Sequence, residues 1–305
     1  MYLRVLGSAA GGGFPQWNCN CPNCDGLRRG TVRAQARTQS SIALSANGID
    51  WLLVNASPDI LTQIRQTPLL QPARAIRDSG IAAVLLMDAQ IDHVTGLLML
   101  RESKAALPLL ATPEVIADVS EGFPITRILS HYCGVQLHPL SCNAADIQVP
   151  GVDGLELTVV SLSSKPPPYS PFRECPRPGD NIGLIAHAGP GTPRLFYAPG
   201  LAEVTPQLHA LMAECDIVLV DGTFWTADEM QQLGLSHKSA FDTGHLPQSG
   251  AGGMIEHLQR LPQRTRKLLI HINNTNPILN EDSAERALLQ KLGIEVACDG
   301  MEIVF

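Results

Sequence analysis

Apolar and polar positions along this chain alternate in short blocks, strand-like in some places and helix-like in others. Tyr2–Leu6 alternates as a half-buried strand does. Ser40–Leu44 and Trp51–Val54 read as a strand pair, with Asn47-Gly48 in the turn between them. Ile81–Met87 is a continuous apolar run of the buried-strand type. Later strands are predicted at Leu155–Leu162, Asn181–Ala186, Leu195–Ala198, Asp216–Val220 and Lys267–Ile272, with His271 at the end of the last of these. Ile294–Ala297 and Glu302–Phe305 complete the set. One helix is predicted from Ser57-Pro58 to about Gln66, with Ser57 as N-cap, Pro58 at the first helical position and Asp59 favourable to the helix dipole. Others fall at Val94–Leu100, after Pro113-Glu114, at Met254–Leu261 and at Ser283–Leu292. Lys165–Pro171, rich in proline, reads as a rigid extended loop over a site or at a sheet edge. Strands come singly or in pairs between helices, with no repeat and no linker. That predicts one α/β domain over residues 1–305, made of two packed half-units.

Composition narrows the function classes. At 45% apolar residues the chain can build a sizeable core, and its net charge is −7 with no Lys/Arg cluster. Nucleic acid is therefore not the expected partner, since phosphate contacts need grouped cations. No apolar run approaches the ~18 residues of a membrane span. The first residues are too few and too strand-like for a signal peptide, so a cytoplasmic protein off the membrane is expected. The glycine-rich Gly7–Gly13 loop lacks the Gly-Lys-Ser/Thr of a phosphate-binding loop.

Three of the eight cysteines, Cys19, Cys21 and Cys24, lie within one short loop, and the other five are scattered. In a reducing cytosol this spacing points to a structural Zn²⁺ site plus free thiols, not to disulfides. The plain alternative is three reduced loop cysteines. A fourth ligand must come from elsewhere, and His271 and Asn274 are the candidates.

A second constellation follows the Ile81–Met87 strand. Asp92 and His93 open a helix there, and His271 ends another strand. Strand C-termini are where α/β folds collect their sites. Two histidines and a carboxylate suit a non-haem iron triad, and equally a mononuclear zinc or manganese centre. Asp92 as a simple helix cap is the competing reading. Asp221 and His245 form a second acid-histidine pair, in which Asp221 would fix the ring tautomer for acid-base work. Alternatively they are a turn aspartate and an unrelated loop histidine.

Longer strings carry a resemblance. They are Gly7-Ser-Ala-Ala-Gly-Gly-Gly-Phe-Pro-Gln-Trp-Asn-Cys-Asn-Cys21, Asn55-Ala-Ser-Pro-Asp59, Gln90-Ile-Asp-His-Val-Thr-Gly-Leu97, Pro168-Tyr-Ser-Pro171, Pro178-Gly-Asp-Asn181, Tyr197-Ala-Pro-Gly200 and His271-Ile-Asn-Asn-Thr-Asn-Pro277. With these the chain resembles, over its whole length, metallo-β-lactamase-fold proteins of the branch holding phosphonate-pathway cyclic phosphodiesterases and tRNA 3′-end nucleases. More closely it resembles the pyrroloquinoline quinone (PQQ) biosynthesis protein B family. The resemblance implies an αβ/βα sandwich of two mixed β-sheets flanked by helices. In the family's His-x-His-x-Asp-His motif, Asp88 and Gln90 stand where the first two histidines belong, and Ser164 stands for a third. The bridging aspartate would fall near Tyr197. The first metal of the hydrolases is thus expected to be missing. The ligands of the second are kept as Asp92, His93 and His271, and Asp221 with His245 matches the proton-donor pair.

What the resemblance implies is an Fe²⁺-dependent, O₂-using hydroxylase in PQQ biosynthesis. Its substrate would be the tyrosine-derived ring of a cross-linked glutamate-tyrosine, a small peptide-derived acid. Arg37, Lys165 and Arg173 are candidate cations for its carboxylates. The rivals are a metal-dependent hydrolase and a non-enzymatic carrier that takes PQQ towards export to the periplasm. A homodimer is compatible with the sequence. One conflict stands out: His271 is wanted by both metal sites.

Overall fold

Strand alternation sorts the apolar residues of this computed structural model, which describes residues 1–305, into three layers. In chain order the strands are β1 (Tyr2–Gly7), β2 (Ser41–Ser45), β3 (Trp51–Val54), β4 (Ile81–Leu85), β5 (Leu107–Ala111), β6 (Val135–Pro139) and β7 (Ile147–Gln148). They continue as β8 (Glu156–Ser161), β9 (Ile182–His187), β10 (Leu195–Ala198), β11 (Ile217–Asp221), β12 (Arg266–Ile270), β13 (Ile294–Val296) and β14 (Glu302–Val304). One seven-stranded sheet runs β14-β1-β2-β3-β4-β5-β6, and the other β13-β12-β11-β10-β9-β8-β7. Both are mixed. β3 to β6 are parallel, as are β10 to β13, and the remaining pairs are antiparallel.

The side-chain period of two decides which layer each residue enters. On β3, Leu52 and Val54 face the second sheet, where they share a core with Leu184, Leu219 and Leu268. Trp51 and Leu53 point the other way, onto helix residues Ile60, Val115 and Leu129. On β11, Ile217 and Leu219 point inward, while Val218 and Val220 pack on Leu208, Met254 and Leu289 from the opposite helical layer. Two sheets face to face with helices outside is the αβ/βα sandwich the resemblance implies.

Several elements start or end differently from their sequence pattern. The first predicted helix begins at Ile60, not Pro58. Ser57 Oγ instead accepts from the Asp59 N–H (3.2 Å) and donates to Gln63 Oε1 (3.1 Å). The Asp59 carboxylate is taken by the backbone N–H of Gln39 (2.9 Å), so it anchors a neighbouring strand end and not the helix. The predicted helix Val94–Leu100 is one α-turn, Ile91–Val94, followed by a 3₁₀ segment, Thr95–Leu100. Gly96 explains the change: its N–H donates to Ala56 O (2.9 Å), outside any helical ladder. A Cβ at Gly96 would stand 2.2 Å from Ser57 O and 2.7 Å from Ala56 O. Gly96→Ala is therefore expected to cost ~1–3 kcal/mol by overpacking and to push the Asp92-His93 turn off its seat. Urea unfolding measures the first effect and metal content the second. Unchanged values for both would refute this reading of the contact.

Candidate metal centre

Four strand ends build the site. β4 runs out into Asp88 and the Ile91–Val94 turn, β10 into Gly200, β11 into Asp221-Gly-Thr223, and β12 into His271. His271 leaves its strand with φ 60°, a left-handed conformation that β-strand residues do not adopt, and this turns the ring out of the ladder. Together they line a cavity of about 310 Å³.

Asp92, His93 and His271 meet in it, with one ligand atom from each lying within 4.8 Å of the others. His271 Nε2 is 3.3 Å and His93 Nε2 3.8 Å from Asp92 Oδ2. The outer nitrogens are already occupied. His93 Nδ1 lies 2.8 and 2.9 Å from the two oxygens of buried Asp88, so its N–H points there and Nε2 faces the cavity. That Nε2 is buried and has no protein partner, as expected of an atom meant for an ion. His271 Nδ1 lies 2.9 Å from Thr223 Oγ1, which leaves its Nε2 to face Asp92 and the cavity. Burial opposes charge on His93, but the Asp88 and Asp92 carboxylates outweigh it and raise the ring to about 9. Burial also opposes charge on Asp92, yet the two imidazoles hold its carboxyl far below the usual range. Without an ion His93 therefore holds a second proton; a cation bound here would displace it, and the donors would be two imidazoles and one ionised carboxylate, with the remaining directions open to the cavity.

The positions of a second metal are differently engaged. Asp88 is spent on His93 and on the Gln90 N–H (2.9 Å). Gln90 Nε2 donates to Lys165 O (3.1 Å), and Ser164 Oγ to Gly244 O (2.8 Å). Tyr197 is wholly buried between the sheets, so it is not near a bridging position. Gly200 is the residue that β10 brings to the cavity, and it offers no donor.

Across the cavity, His245 Nδ1 donates to Asp221 Oδ2 (2.6 Å). Asp221 is fully buried and also accepts from the N–H groups of Leu201 and Thr223 (both 2.9 Å). Burial opposes both charges, but each partner stabilises the other, so Asp221 is lowered and His245 raised. The His245 ring stacks on His271, with centroids 5.3 Å apart and planes at 22°. The two pairs read separately from the sequence are therefore one cluster.

The three cysteines gather at the start of a helix, Pro22–Arg29, with Cys21 as its N-cap and Cys24 in its first turn. Cys19, Cys21 and Cys24 bring their sulfurs within 4.8 Å of one another, compatible with the ~3.8 Å edges of a ZnS₄-type tetrahedron. Burial pushes the Cys21 thiol up to about 12, with its neighbours adding to the effect, a penalty that a dication among the three removes. The Asn274 side-chain amide caps the trio, 3.0, 3.6 and 3.4 Å from the Cys19, Cys21 and Cys24 sulfurs. Turned over, that amide presents Oδ1 at the fourth corner. The competition for His271 is thereby resolved, because its ring faces Asp92 and Asn274 faces the thiols.

The segment Asn273-Asn-Thr-Asn276 does a different job at each position. Asn273 lines the cavity. Asn274 caps the thiols. Asn276 is fully buried and donates to Gly222 O (3.0 Å) and Thr223 O (3.2 Å). Thr275 Oγ1 pairs with Glu229, whose other oxygen accepts from the Trp225 N–H (2.7 Å). Burial pushes the Glu229 carboxyl up to about 7, against the pull of those hydrogen bonds. A raised carboxyl means the folded state prefers the neutral form. Its stabilising contribution is complete below about pH 4.5 and is lost as pH rises through about 7. Glu229→Gln should therefore be the more stable protein at pH 8, by up to roughly 3 kcal/mol, and nearly equal at pH 4.5. Parallel stability curves from thermal melts across that range would contradict the assignment.

Of the candidate cations, only Arg173 lines the cavity. Arg37 is a correction: it is buried away from the cavity, with Nη1 donating to Ser8 Oγ (3.0 Å) and to Ala297 O. Lys165 takes part through its carbonyl. Lys238, exposed at the cavity rim, was not found from sequence, nor was Thr223. The proline-rich Lys165–Pro171 loop does cover the site: Pro168 lines it, and the Tyr169 hydroxyl donates to Ala89 O.

The beta-lactamase superfamily domain profile matches residues 50–272. Coenzyme PQQ synthesis protein B of Cupriavidus necator is 65% identical over 301 residues, covering 99% of this chain and 98% of that one. The Methylococcus capsulatus protein of the same name is 53% identical and covers 100% of both. A crystal structure described as Zn(2+)-bound PqqB from Methylobacterium extorquens superposes with TM-score 0.91 at 39% identity, covering 100% of both chains. A diphosphatase of the PhnP family (TM-score 0.67, 17% identity, 100% and 96% covered) shares the fold. Fold and site thus define a metallo-β-lactamase-type scaffold with a cluster of donor residues, Asp92, His93, His271, Asp221 and His245, in its cleft. Within that superfamily, the chain belongs to the coenzyme PQQ synthesis protein B family.

Proposed function

We propose that this chain acts in PQQ synthesis as an iron-dependent, O₂-using hydroxylase of the tyrosine-derived ring of a cross-linked glutamate-tyrosine. The carrying observation is the convergence of His93 Nε2, His271 Nε2 and Asp92 Oδ2 on one point, with His93 Nε2 buried and unpartnered. Two imidazoles and a carboxylate with open positions are the donor set of O₂-using Fe(II) centres. Bound there, Fe²⁺ would supply the O₂ chemistry that no side chain can. Asp88 orients His93. His245, backed by Asp221, takes the phenolic proton of the substrate and returns it. Arg173 and Lys238, which line the cavity, receive its carboxylates. Cys19, Cys21, Cys24 and Asn274 hold a structural Zn²⁺; the Methylobacterium extorquens relative is itself Zn²⁺-bound. The single-domain unit is residues 1–305, and its setting is the cytoplasm. No helix is long and apolar enough to cross a membrane.

The two-metal hydrolase reading is disfavoured because Asp88, Gln90 and Ser164 are tied to protein partners and Gly200 offers no donor, and the one other group at the cleft, Asp221 with His245, shares His271 with the first. The test is anaerobic loading with Fe(II), followed by oxygen-18 gas, the glutamate-tyrosine substrate and a reductant. A product heavier by labelled oxygen, from protein with one iron and one zinc per chain, is the expected result. Correctly loaded protein that inserts no oxygen overturns the hydroxylase. Tight binding of finished PQQ by that protein would then favour the carrier.

A further inference from the structure

Thr223 sits between the two halves of the cluster, and it is neither a metal donor nor an acid-base group. Its hydroxyl is almost wholly buried and lies 2.6 Å from Asp221 Oδ1, 2.9 Å from His271 Nδ1, 2.9 Å from the His271 carbonyl oxygen and 3.1 Å from His245 Nδ1, so the carbonyl is a second, longer and uncharged acceptor. A hydroxyl has one proton to donate and two lone pairs. His245 Nδ1 already has the nearer Asp221 Oδ2 at 2.6 Å. Asp221 Oδ1 is the closest acceptor and ionised, so the Thr223 proton goes there. A Thr223 lone pair then accepts the His271 Nδ1 proton. The outcome is one directed chain, from the His271 Nδ1–H through the Thr223 hydroxyl to the Asp221 carboxylate, which also holds His245.

The backbone fixes this hydroxyl in place. Gly222 N–H donates to Ile270 O (2.7 Å), and a Cβ at Gly222 would stand 2.9 Å from the Leu269 Cβ. Gln248 Nε2 and Asn276 Nδ2 both donate to Gly222 O (2.6 and 3.0 Å). Asn273 N–H and Asn276 Nδ2 hold Thr223 O (3.1 and 3.2 Å). So much hydrogen bonding around one threonine is more than a turn requires.

We infer that Thr223 is a positioning residue: through its hydroxyl, Asp221 sets the tautomer and orientation of His271 and strengthens its Nε2 as a metal donor. His93 achieves the same result by direct contact with Asp88. Both ring ligands then hang from buried carboxylates, one directly and one through a threonine. Hydrogen-bond partners of metal-bound histidines are worth about 10–100-fold in metal affinity.

The inference rests on the Asp92–His93–His271 metal site proposed above, and the experiment separates the two. Fe(II) and Co(II) affinities are measured by chelator competition on native protein, Thr223→Val and Thr223→Ser. Zinc content of the cysteine site and the melting temperature are followed in parallel. Thr223→Val, which keeps the shape and loses the hydroxyl, is expected to bind both ions 10–100-fold more weakly and to shift the Co(II) ligand-field bands. Thr223→Ser is expected to return both to near native, and cysteine-site zinc should stay constant in all three. Thr223→Ala, read in the same way, serves if valine unfolds the turn. Native protein that takes neither ion at this site defeats the metal reading itself. Native binding matched by Thr223→Val, or a serine variant as weak as valine, defeats only the role of Thr223.

Discussion

His93→Ala is expected to keep the zinc of the cysteine loop, lose iron and lower turnover by a factor on the order of 10³ or more. The variant removes one of three protein donors, and the lost imidazole is the one whose Nε2 has no other partner. It also strands Asp88. That carboxylate, 4% exposed, would keep only the Gln90 N–H of the contacts it now makes. Breaking a buried pair from one side costs ~3–5 kcal/mol, so the variant should also melt lower than metal-free native protein. Loss of activity alone would therefore be ambiguous, and a second substitution resolves it. Asp88→Asn in the His93→Ala background removes the stranded charge. The double variant is expected to recover much of the stability and none of the iron. Two sites in direct contact should be strongly non-additive in stability. If the double variant regained iron and turnover, the donor set would be wrong. If His93→Ala kept iron, His93 would be structural.

The parts of this molecule that were legible in the sequence are those with a local cause. Trp51–Val54 is apolar and buried on both faces, and Ile81–Leu85 is apolar throughout and buried from Ala83 onward; both follow from layer packing, so their patterns predicted strands correctly. β5 and β6 were missed because proline interrupts the first at Pro108 and ends the second at Pro139, and β6 is largely exposed. β7 is two residues long and has no pattern to read. At the site, Asp92, His93 and His271 could be named from their residue types, whereas Asp221 and His245 were named through the family resemblance. What could not be read was the wiring. Nothing local in Asp221-Gly-Thr223 says that a threonine will reach a histidine 48 positions later, and nothing in Asp88 says it will hold His93 and not an ion. Arg37 failed for the same reason: a charged side chain on a polar stretch looks exposed, whereas this one is buried against Ser8 and Ala297. Asn274 and His271, three positions apart, were both plausible fourth ligands until the fold turned the His271 ring to Asp92 and the Asn274 amide to the thiols.

That division of labour in the His271–Asn276 loop makes the cysteine site matter beyond its own loop. Cys24→Ser is expected to lose the zinc, lower the melting temperature by ~10 °C and, as a consequence, weaken iron binding at the Asp-His site. Cys24 is fully buried, and serine replaces a thiolate with a poorer ligand. Without the ion, Asn274 loses its reason to cap the trio. The remaining ties between loop and N-terminal segment are then the Asn23 Nδ2 bonds to Asn274 O and Asn276 O (3.1 and 2.9 Å) and the backbone links from Ala10 N–H to Ile272 O and from Ile272 N–H to Ser8 O (both 2.9 Å). Structural zinc is worth ~10–16 kcal/mol where it organises a whole zinc-finger peptide. Here it staples one loop of a larger fold, so several kcal/mol is the scale, and in a chain of this size each kcal/mol moves the melting temperature by ~2 °C. The order of events is the decisive observable. When a chelator strips the native protein, iron affinity at the Asp-His site should fall only after the cysteine zinc has gone, and re-adding zinc before iron should restore it. A zinc-free Cys24→Ser protein that melts like the native one and binds iron as tightly would show that the hydrogen bonds alone hold His271 in place, and that the thiol cluster is not the strap.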